Sequence, residues 1–221
     1  MNLENTRKYY ATNEELIQDI GVAYQEVIKQ FYDAGCRNLQ FDDCVWGGMV
    51  NPKLAVALTG RSGEALEEYK KLMLKLNNEV VAAAPEDLLI NTHVCRGNYH
   101  STFFSSGAYD SVADLLFGEE NVNAYYLEYD DERSGGFAPL AKVSGDKKVV
   151  LGLVTTKTPA LENKELVINR IHEAAKYVPL DRLYLSPQCG FASCEIGNKL
   201  TEEEQWAKLK LVKEIAEEVW G

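Results

Sequence analysis

Short apolar runs rich in β-branched and aromatic residues occur five times along the chain, each followed by a stretch with helical character. This alternation is typical of βα units built around a parallel sheet. The predicted strands cover residues 38–42, 88–93, 123–128, 148–154 and 183–187. The pattern therefore predicts an α/β fold.

Helices are predicted around these strands from capping residues and apolar periodicity. Thr12 and Glu15 cap an unpaired first helix that ends at Gly35, and Thr201 with Glu204 forms a capping box for the last helix. Further helices are predicted at 63–84, 110–117 and 162–177, a short apolar helix or turn after 133–136, and a long loop between residue 43 and the helix at 63.

A complete (β/α)8 barrel has eight strands and about 250 residues. The 221 residues of this chain give five strands and no linker or low-complexity segment. We therefore predict a single domain, residues 1–221, that forms part of a TIM-type barrel.

Composition excludes several classes of partner. A formal net charge of -11 argues against nucleic acid, because neutralising phosphates requires a basic surface. No apolar stretch approaches the roughly 20 residues of a membrane span, and the start is not a signal peptide, so we expect a soluble cytoplasmic protein with no membrane partner. The chain contains neither G-x-G-x-x-G nor a Walker motif, so no nucleotide cofactor is implied.

Potential metal ligands follow three of the predicted strands. Five cysteines without an export signal are expected to be free or metal-bound. His93 and Cys95 alternate at the end of the second strand and can reach one ion, Glu128 ends the third strand, and Cys189 follows the fifth. This set of imidazole, thiolates and carboxylate suits zinc, provided that the mouth of the barrel brings the residues together.

The other cysteines and a mid-helix histidine have simpler interpretations. Cys36 follows a helix-stopping glycine and Cys44 lies in a loop, so both are expected to be buried as small apolar groups. Cys194 is a spare candidate ligand, and His172 is expected on the surface of its helix.

Three further polar residues are candidates for contact with a substrate. Asp42 and Asp43 end the first strand, where an acidic pair can hold an ammonium group or accept a proton, and capping of the following loop is an equal alternative. His100, in a polar loop near the mouth, is either a substrate contact or simply solvated.

Four strand-end segments resemble the catalytic half of the cobalamin-independent methionine synthase family, particularly its short single-barrel bacterial members. The segments are Gln40-Phe41-Asp42-Asp43, Thr92-His93-Val94-Cys95, Leu127-Glu128-Tyr129 and Ser186-Pro187-Gln188-Cys189-Gly190-Phe191. The resemblance covers nearly the whole chain. It implies that the five strands are the last five of eight, with the first three βα units absent.

The resemblance also implies a site and a reaction. Its zinc ligands correspond to His93, Cys95, Glu128 and Cys189, with Glu132 a rival for the carboxylate, and its amino-acid-binding aspartate corresponds to Asp42. In that family the thiol of homocysteine coordinates zinc and loses its proton. The resulting thiolate attacks a methyl group carried by a folate, giving methionine.

Two departures from the family pattern affect these expectations. Where the large synthases have an Asp-Ile-His-Ser-Pro segment, this chain has Thr155-Thr156-Lys157-Thr158-Pro159, so the family's histidine proton donor is replaced by Lys157, an alternative acid or anion-binding group. A partial barrel is also expected to expose two sheet edges and an apolar inner face, which favours a truncated gene product or a homo-oligomer.

Three functions are compatible with the sequence. The leading hypothesis is a zinc-dependent methyltransferase acting on homocysteine or a related thiol. The second is zinc-dependent transfer of another alkyl group to a small thiol, and the third is a non-catalytic, zinc-binding partial barrel.

Overall fold

The computed structural model describes residues 3–221 and contains one parallel sheet of five strands, paired in chain order from β1 to β5. The α/β fold predicted from the sequence is confirmed, and each strand lies within one residue of its predicted bounds. The strands are β1 (Asn38–Asp42), β2 (Leu89–Val94), β3 (Ala124–Glu128), β4 (Lys148–Val154) and β5 (Leu183–Pro187).

Eight α-helices accompany the strands in the described part of the chain. Both predicted capping boxes are present, at Thr12 with Glu15 and at Thr201 with Glu204. The helices are α1 (Leu3–Thr6), α2 (Asn13–Asp33), α3 (Cys44–Met49), α4 (Pro52–Thr59), α5 (Glu64–Val81), α6 (Ala113–Glu119), α7 (Lys164–Ala174) and α8 (Glu202–Trp220). Within residues 3–221, none of them is both long and apolar enough to span a bilayer.

Two local predictions were wrong. The segment expected to be a long loop after β1 contains α3 and α4, and the Asn51 side chain caps α4 by accepting from the backbone N–H groups of Lys53 and Leu54. The helix predicted from Asp110 to before Gly118 begins instead at Ala113, after a 3-10 turn at Tyr109–Ser111, and continues to Glu119. Apolar periodicity was too weak in these short segments to reveal either feature.

The two faces of the sheet differ in chemistry because successive side chains of a strand point to opposite sides. Ile90, Leu127 and Leu151 are buried on one face, where the hydrophobic clusters include residues from α2 and α5 to α8. α5, α6 and α7 lie in connections between consecutive strands, and their core contacts place them, with α2 and α8, on this side of the sheet.

The opposite face, which we call the polar face after Asn38, Asn91 and His93, is mixed. Leu89, Val150 and Tyr184 also lie on it, so the expected apolar inner face is present only in part. Asn38 and Asn91 are hydrogen bonded across β1 and β2 on this face, with 2.7 Å between the amide nitrogen of Asn91 and the oxygen of Asn38. Tyr126 lies beside His93 in the next pair of strands. β1 and β5 are the edges of the sheet within residues 3–221. Homo-oligomerisation remains a prediction.

A chain of aromatic rings fixes the end of β3 against the helical layer. The centroids of neighbouring rings lie between 4.7 Å and 5.7 Å apart, within the range of favourable aromatic contacts. The rings belong to Tyr109, Phe117, Tyr125, Tyr129 and Phe137. Because Tyr125 and Tyr129 flank the end of β3 on its helical side, Glu128 between them is turned to the polar side.

The Glu120 carboxyl group, just after α6, is buried beside a cavity of about 360 Å³ on the helical side of the sheet. Its Oε1 accepts a hydrogen bond of 2.7 Å from the Asn77 amide, which also donates to Asp43. Burial raises the pKa of Glu120 to about 7, and the nearby Asp43 carboxylate adds to the increase. The folded chain therefore holds this proton more tightly than the unfolded chain does.

Replacing Glu120 with glutamine should remove a pH-dependent loss of stability. A carboxyl group whose pKa is raised on folding contributes stability at acidic pH, and this contribution disappears as the pH rises from its unfolded value near 4.5 to about 7. Chemical denaturation at pH 5 and pH 8 should show the wild type losing roughly 2–4 kcal/mol more than Glu120→Gln over this interval.

The matched control is Glu119→Gln, which changes an exposed carboxylate at the adjacent position. Its stability curve should run parallel to that of the wild type. If the Glu120→Gln curve also ran parallel to the wild-type curve, the pKa of Glu120 would not be raised in the folded chain.

Candidate metal centre

The strand register brings the predicted site residues to one edge of the sheet. Asp42 pairs with His93 across β1 and β2, and His93 pairs with Tyr126, two residues before Glu128 at the end of β3. Glu128 pairs in turn with Gly152 in β4. All of these residues lie on the polar face, at the carboxyl ends of the parallel strands.

The four residues predicted as metal ligands form one cluster. One donor atom each from His93, Cys95, Glu128 and Cys189 lies within 4.8 Å of the other three. His93 and Glu128 are buried, whereas the two cysteines are half-buried. Glu132, the rival carboxylate, is exposed in a 3-10 turn and does not belong to this cluster.

The donor set fits a zinc ion on two grounds. His93 Nε2 is buried and has no hydrogen-bond partner among residues 3–221, although carboxylate oxygens of Asp42 and Glu128 each lie 3.9 Å away. Such a nitrogen, with thiol and carboxylate donors around it, is what a zinc ion would satisfy. The soft sulfur donors favour zinc over magnesium or calcium.

Without a nearby cation, the Cys95 and Cys189 thiols hold their protons strongly. The neighbouring Cys189 thiol lowers the pKa of Cys95, but the neighbouring Cys44 thiol and burial outweigh this effect and raise that pKa to about 12. The neighbouring Cys95 thiol, together with burial, raises the pKa of Cys189 to about 12, against the opposing effect of His93. A nearby divalent cation would be needed to convert both groups to thiolates.

Glu128 is held by a dense set of polar contacts. Its Oε1 accepts a hydrogen bond of 2.7 Å from the backbone N–H of Arg96, and its Oε2 accepts one of 2.8 Å from the Arg133 guanidinium. Arg133 also pairs with Asp130, 2.7 Å away. These bonds orient a fully buried carboxylate, which would be costly to bury without a cationic partner.

Lys157 approaches the same carboxylate from the loop after β4. Its Nζ is buried 4.0 Å from Glu128 Oε2 and has no hydrogen-bond partner in the described part of the chain. Burial lowers the pKa of Lys157, although Glu128 and Asp130 oppose the change. The structure thus places an ammonium group beside the cluster where the sequence departs from the family pattern.

A hydrogen-bond network joins the loops that carry Cys189, Lys157 and Asn98. The Asn98 amide donates to the backbone oxygen of Gly190 over 2.6 Å, and the Thr156 hydroxyl donates to Gln188 over 2.7 Å. Asn198 donates to Asn98 and to the backbone oxygen of Thr156. The network fixes the residues on both sides of Cys189.

Gly152 allows the end of β5 to approach β4 closely. A Cβ at this position would lie 2.8 Å from Gln188 Cα and 2.8 Å from the backbone oxygen of Leu127. Both neighbours are backbone atoms, so they cannot move aside without displacing a strand. The absence of a side chain at Gly152 therefore helps to bring Cys189 near Glu128.

The predicted substrate-contact residues occupy different environments. The Asp42 side chain is 62% exposed at the rim of the cluster, with its Oδ1 3.9 Å from His93 Nε2. Asp43 caps α3 by accepting from the N–H of Val45 and also accepts from Asn77, which favours the capping alternative for this residue. His100 is half-buried and its ring contacts the backbone oxygen of Gly197, so its substrate role remains a prediction.

The two cysteines expected to be buried differ in exposure. Cys36 is half-buried and packs against the smaller hydrophobic cluster, and His172 is exposed as predicted. Cys44 is exposed, because it is the first residue of α3 at the rim, and it belongs to a second group of donor atoms with Asp42 and Cys95. Cys194 is half-buried and outside both groups.

Sequence reasoning missed two residues that bear on the site. Arg133 was not among the predicted site residues, and no local signal shows that it reaches Glu128. Cys44 had a signal in the sequence. It lies two positions after Asp42, Cys95 lies two positions after His93, and Asp42 pairs with His93. Equal spacing from paired residues indicates that the two cysteines lie close together.

Comparisons with known proteins agree with this geometry. The uncharacterized protein YxjG of Bacillus subtilis is 48% identical over 213 residues, which is 96% of this chain and 56% of YxjG. A Bacillus subtilis 5-methyltetrahydropteroyltriglutamate–homocysteine methyltransferase is 23% identical over 94% of this chain and 24% of that protein. The chain thus spans little more than half of the length of YxjG, and less of the methyltransferase.

A solved structure has the same fold. The Listeria monocytogenes protein assigned as a vitamin-B12 independent methionine synthase superposes with a TM-score of 0.75 and 40% sequence identity, covering 97% of this chain and 58% of that one. The sequence model of the cobalamin-independent synthase catalytic domain matches residues 6–218. With its strand-end residues at one edge of a parallel sheet, the chain therefore belongs to the cobalamin-independent methionine synthase family and corresponds to part of its catalytic barrel.

Proposed function

We propose that this chain takes part in zinc-dependent methyl transfer to the thiol of homocysteine, giving methionine. The observation that carries the proposal is the convergence of four suitable donor atoms from His93, Cys95, Glu128 and Cys189 within 4.8 Å of one another. Membership of the family supports the reaction class, and the related Bacillus subtilis methyltransferase supports homocysteine as the acceptor.

The ligand set determines which chemistry is favoured. Two thiolates, one carboxylate and a neutral imidazole around Zn²⁺ give a net charge near -1, which disfavours polarisation of carbonyl groups. When bound, the ion would lower the pKa of a substrate thiol while leaving its sulfur electron-rich and nucleophilic. Arg133 and the Arg96 backbone N–H keep the Glu128 carboxylate oriented toward the cluster.

Asp42 is the residue that we propose to hold the amino group of the substrate. Its carboxylate is exposed at the rim and lies beside the donor cluster, so an ammonium group can reach it without desolvating a buried pair. Asp43 is already engaged by the cap of α3 and by Asn77, so a direct role in substrate binding is disfavoured.

Lys157 bears on the identity of the methyl donor. Its buried ammonium group is suited to an anionic part of the donor or to delivery of a proton to the leaving group, since burial lowers its pKa toward the range in which a lysine can act as an acid. The replacement of the family histidine by Lys157 also favours a second candidate, in which the alkyl donor is not a methylfolate.

Removing either cysteine of the cluster should abolish tight zinc binding. The metal-free wild type should take up close to one zinc ion per chain, whereas Cys95→Ser and Cys189→Ser should bind at least about tenfold more weakly, because serine is a poor ligand for zinc. Elemental analysis after dialysis against a competing chelator measures the difference. Stoichiometric zinc in both variants would reject these ligands.

Two matched comparisons sharpen this test. Cys36→Ser removes a thiol far from the cluster in the fold and should leave the zinc content unchanged. Glu128→Gln should weaken binding while Glu132→Gln should not, and the reverse result would transfer the carboxylate role to Glu132.

Binding of homocysteine should change the spectrum of the cobalt-substituted chain, because a new sulfur ligand adds charge-transfer absorption and alters the visible bands. Asp42→Asn should retain cobalt but require roughly tenfold more homocysteine for the same change, which corresponds to the loss of one charge-assisted contact.

The control ligand is a thiol of similar size without an amino group. Its affinity should be the same for the wild type and for Asp42→Asn. A cobalt spectrum that is insensitive to every thiol would support the non-catalytic zinc-binding function instead.

A further inference from the structure

Cys95 lies between two other thiols. It shares the four-residue cluster with Cys189, and it shares a separate group with Cys44 and Asp42 in which the donor atoms again lie within 4.8 Å of one another. The Cys44 and Cys95 sulfurs therefore lie no more than 4.8 Å apart. Because Cys95 belongs to both groups, commitment of its sulfur to one partner removes it from the other.

The backbone holds Cys44 and Cys95 side by side. The pairing of β1 with β2 extends past Asp42, since the N–H of Asp43 donates to the backbone oxygen of His93 over 2.8 Å. Cys44, the first residue of α3, and Cys95, the residue after β2, follow this hydrogen bond directly along their segments.

The first turn of α3 is also packed tightly against Cys95. A Cβ on Gly47 would lie 2.0 Å from the backbone oxygen of Cys95, so only glycine permits this approach. The contact fixes the start of the helix, where Cys44 stands, relative to the end of β2.

Accessibility differs among the three thiols. Cys44 is exposed, whereas Cys95 and Cys189 are half-buried. A small oxidant from solvent therefore meets Cys44 first, and Cys95 is the adjacent thiol that can react with the product.

We propose that Cys44 and Cys95 form an oxidation site, at which a hydroperoxide converts the two thiols to an intramolecular disulfide and removes Cys95 from the metal donor set. The disulfide itself depends only on the position of the two thiols. Its consequence for metal binding rests on the proposed function.

The reaction balances with one equivalent of hydrogen peroxide. The Cys44 sulfur attacks a peroxide oxygen, the O–O bond breaks, and water leaves, so that Cys44 becomes a sulfenic acid. The Cys95 sulfur then attacks the Cys44 sulfur, the S–O bond breaks, and the oxygen leaves as a second water molecule. The two sulfurs together lose two electrons, and the two thiol protons are carried away in the water.

The experiment treats the full chain, with and without zinc, with hydrogen peroxide and maps disulfides by mass spectrometry of unreduced digests. In the metal-free chain, a peptide pair linked through Cys44 and Cys95 should form, with a mass about 2 Da below the sum of the reduced peptides. In the zinc-loaded chain the link should form at least about tenfold more slowly, and zinc release, followed with a chromogenic chelator, should accompany it.

Variants separate the proposed pair from its neighbours. Cys44→Ser should lose the linked peptides and release zinc more slowly under peroxide, whereas Cys36→Ser and Cys194→Ser should behave like the wild type. Cys189→Ser should still form the link between Cys44 and Cys95. Circular dichroism of each variant verifies that it is folded.

Several results would overturn the proposal. A link between Cys95 and Cys189 in place of the Cys44 pair would do so, as would oxidation of Cys44 to a sulfinic acid without any link. Failure of the wild type to bind zinc would count against the proposed function alone, because formation of the link in the metal-free chain is measured independently.

Discussion

The burial of one carboxylate, Glu128, is the constraint on which the site depends. A fully buried carboxylate is tolerated only when its charge is compensated, and here Arg133 and the Arg96 backbone N–H provide two short hydrogen bonds. Loss of such a partner typically costs about 3–5 kcal/mol, because an unpaired charge stays in the interior. These bonds join the end of β3 to the loops after β2 and β3, and so hold the donor cluster together.

The difference between the helix-covered face of the sheet and the opposite face explains where this cluster can form. Helices cover the face with Ile90, Leu127 and Leu151, which provides most of the hydrophobic stabilisation. The other face is free to carry asparagine, histidine and carboxylate side chains. At the carboxyl edge of that face, polar groups from neighbouring strands meet without having to displace the core, and this edge is where parallel βα proteins gather their reactive residues.

The surroundings of Cys95 connect the proposed metal chemistry with its proposed sensitivity to oxidation. The same strand pairing that places Cys95 near Glu128 and Cys189 also places it beside the exposed Cys44. A thiolate centre that is open to a substrate thiol is also open to small oxidants. The proposed access of a substrate thiol and the proposed oxidation therefore share one exposed rim.

The sequence by itself determined the local elements and the identity of most candidate donors. Strands and capping boxes depend on alternation, β-branched residues and side-chain hydrogen bonds within three positions, all of which are visible along the chain. His93, Cys95, Glu128 and Cys189 were identifiable because each ends or follows a strand, and in parallel sheets those ends meet at one edge. The short helices α3 and α4 escaped this reasoning, since six and eight residues carry little periodicity.

Only the tertiary structure decided how residues distant in sequence meet. It brought Glu128 rather than Glu132 to the cluster, turned Asp43 into a helix cap, placed Arg133 and Lys157 against Glu128, and set Cys44 beside Cys95. These outcomes depend on strand register and on loop paths that are fixed by nonlocal packing. Local propensity cannot encode them, because one added residue in a loop or one step in register changes which side chains share the edge.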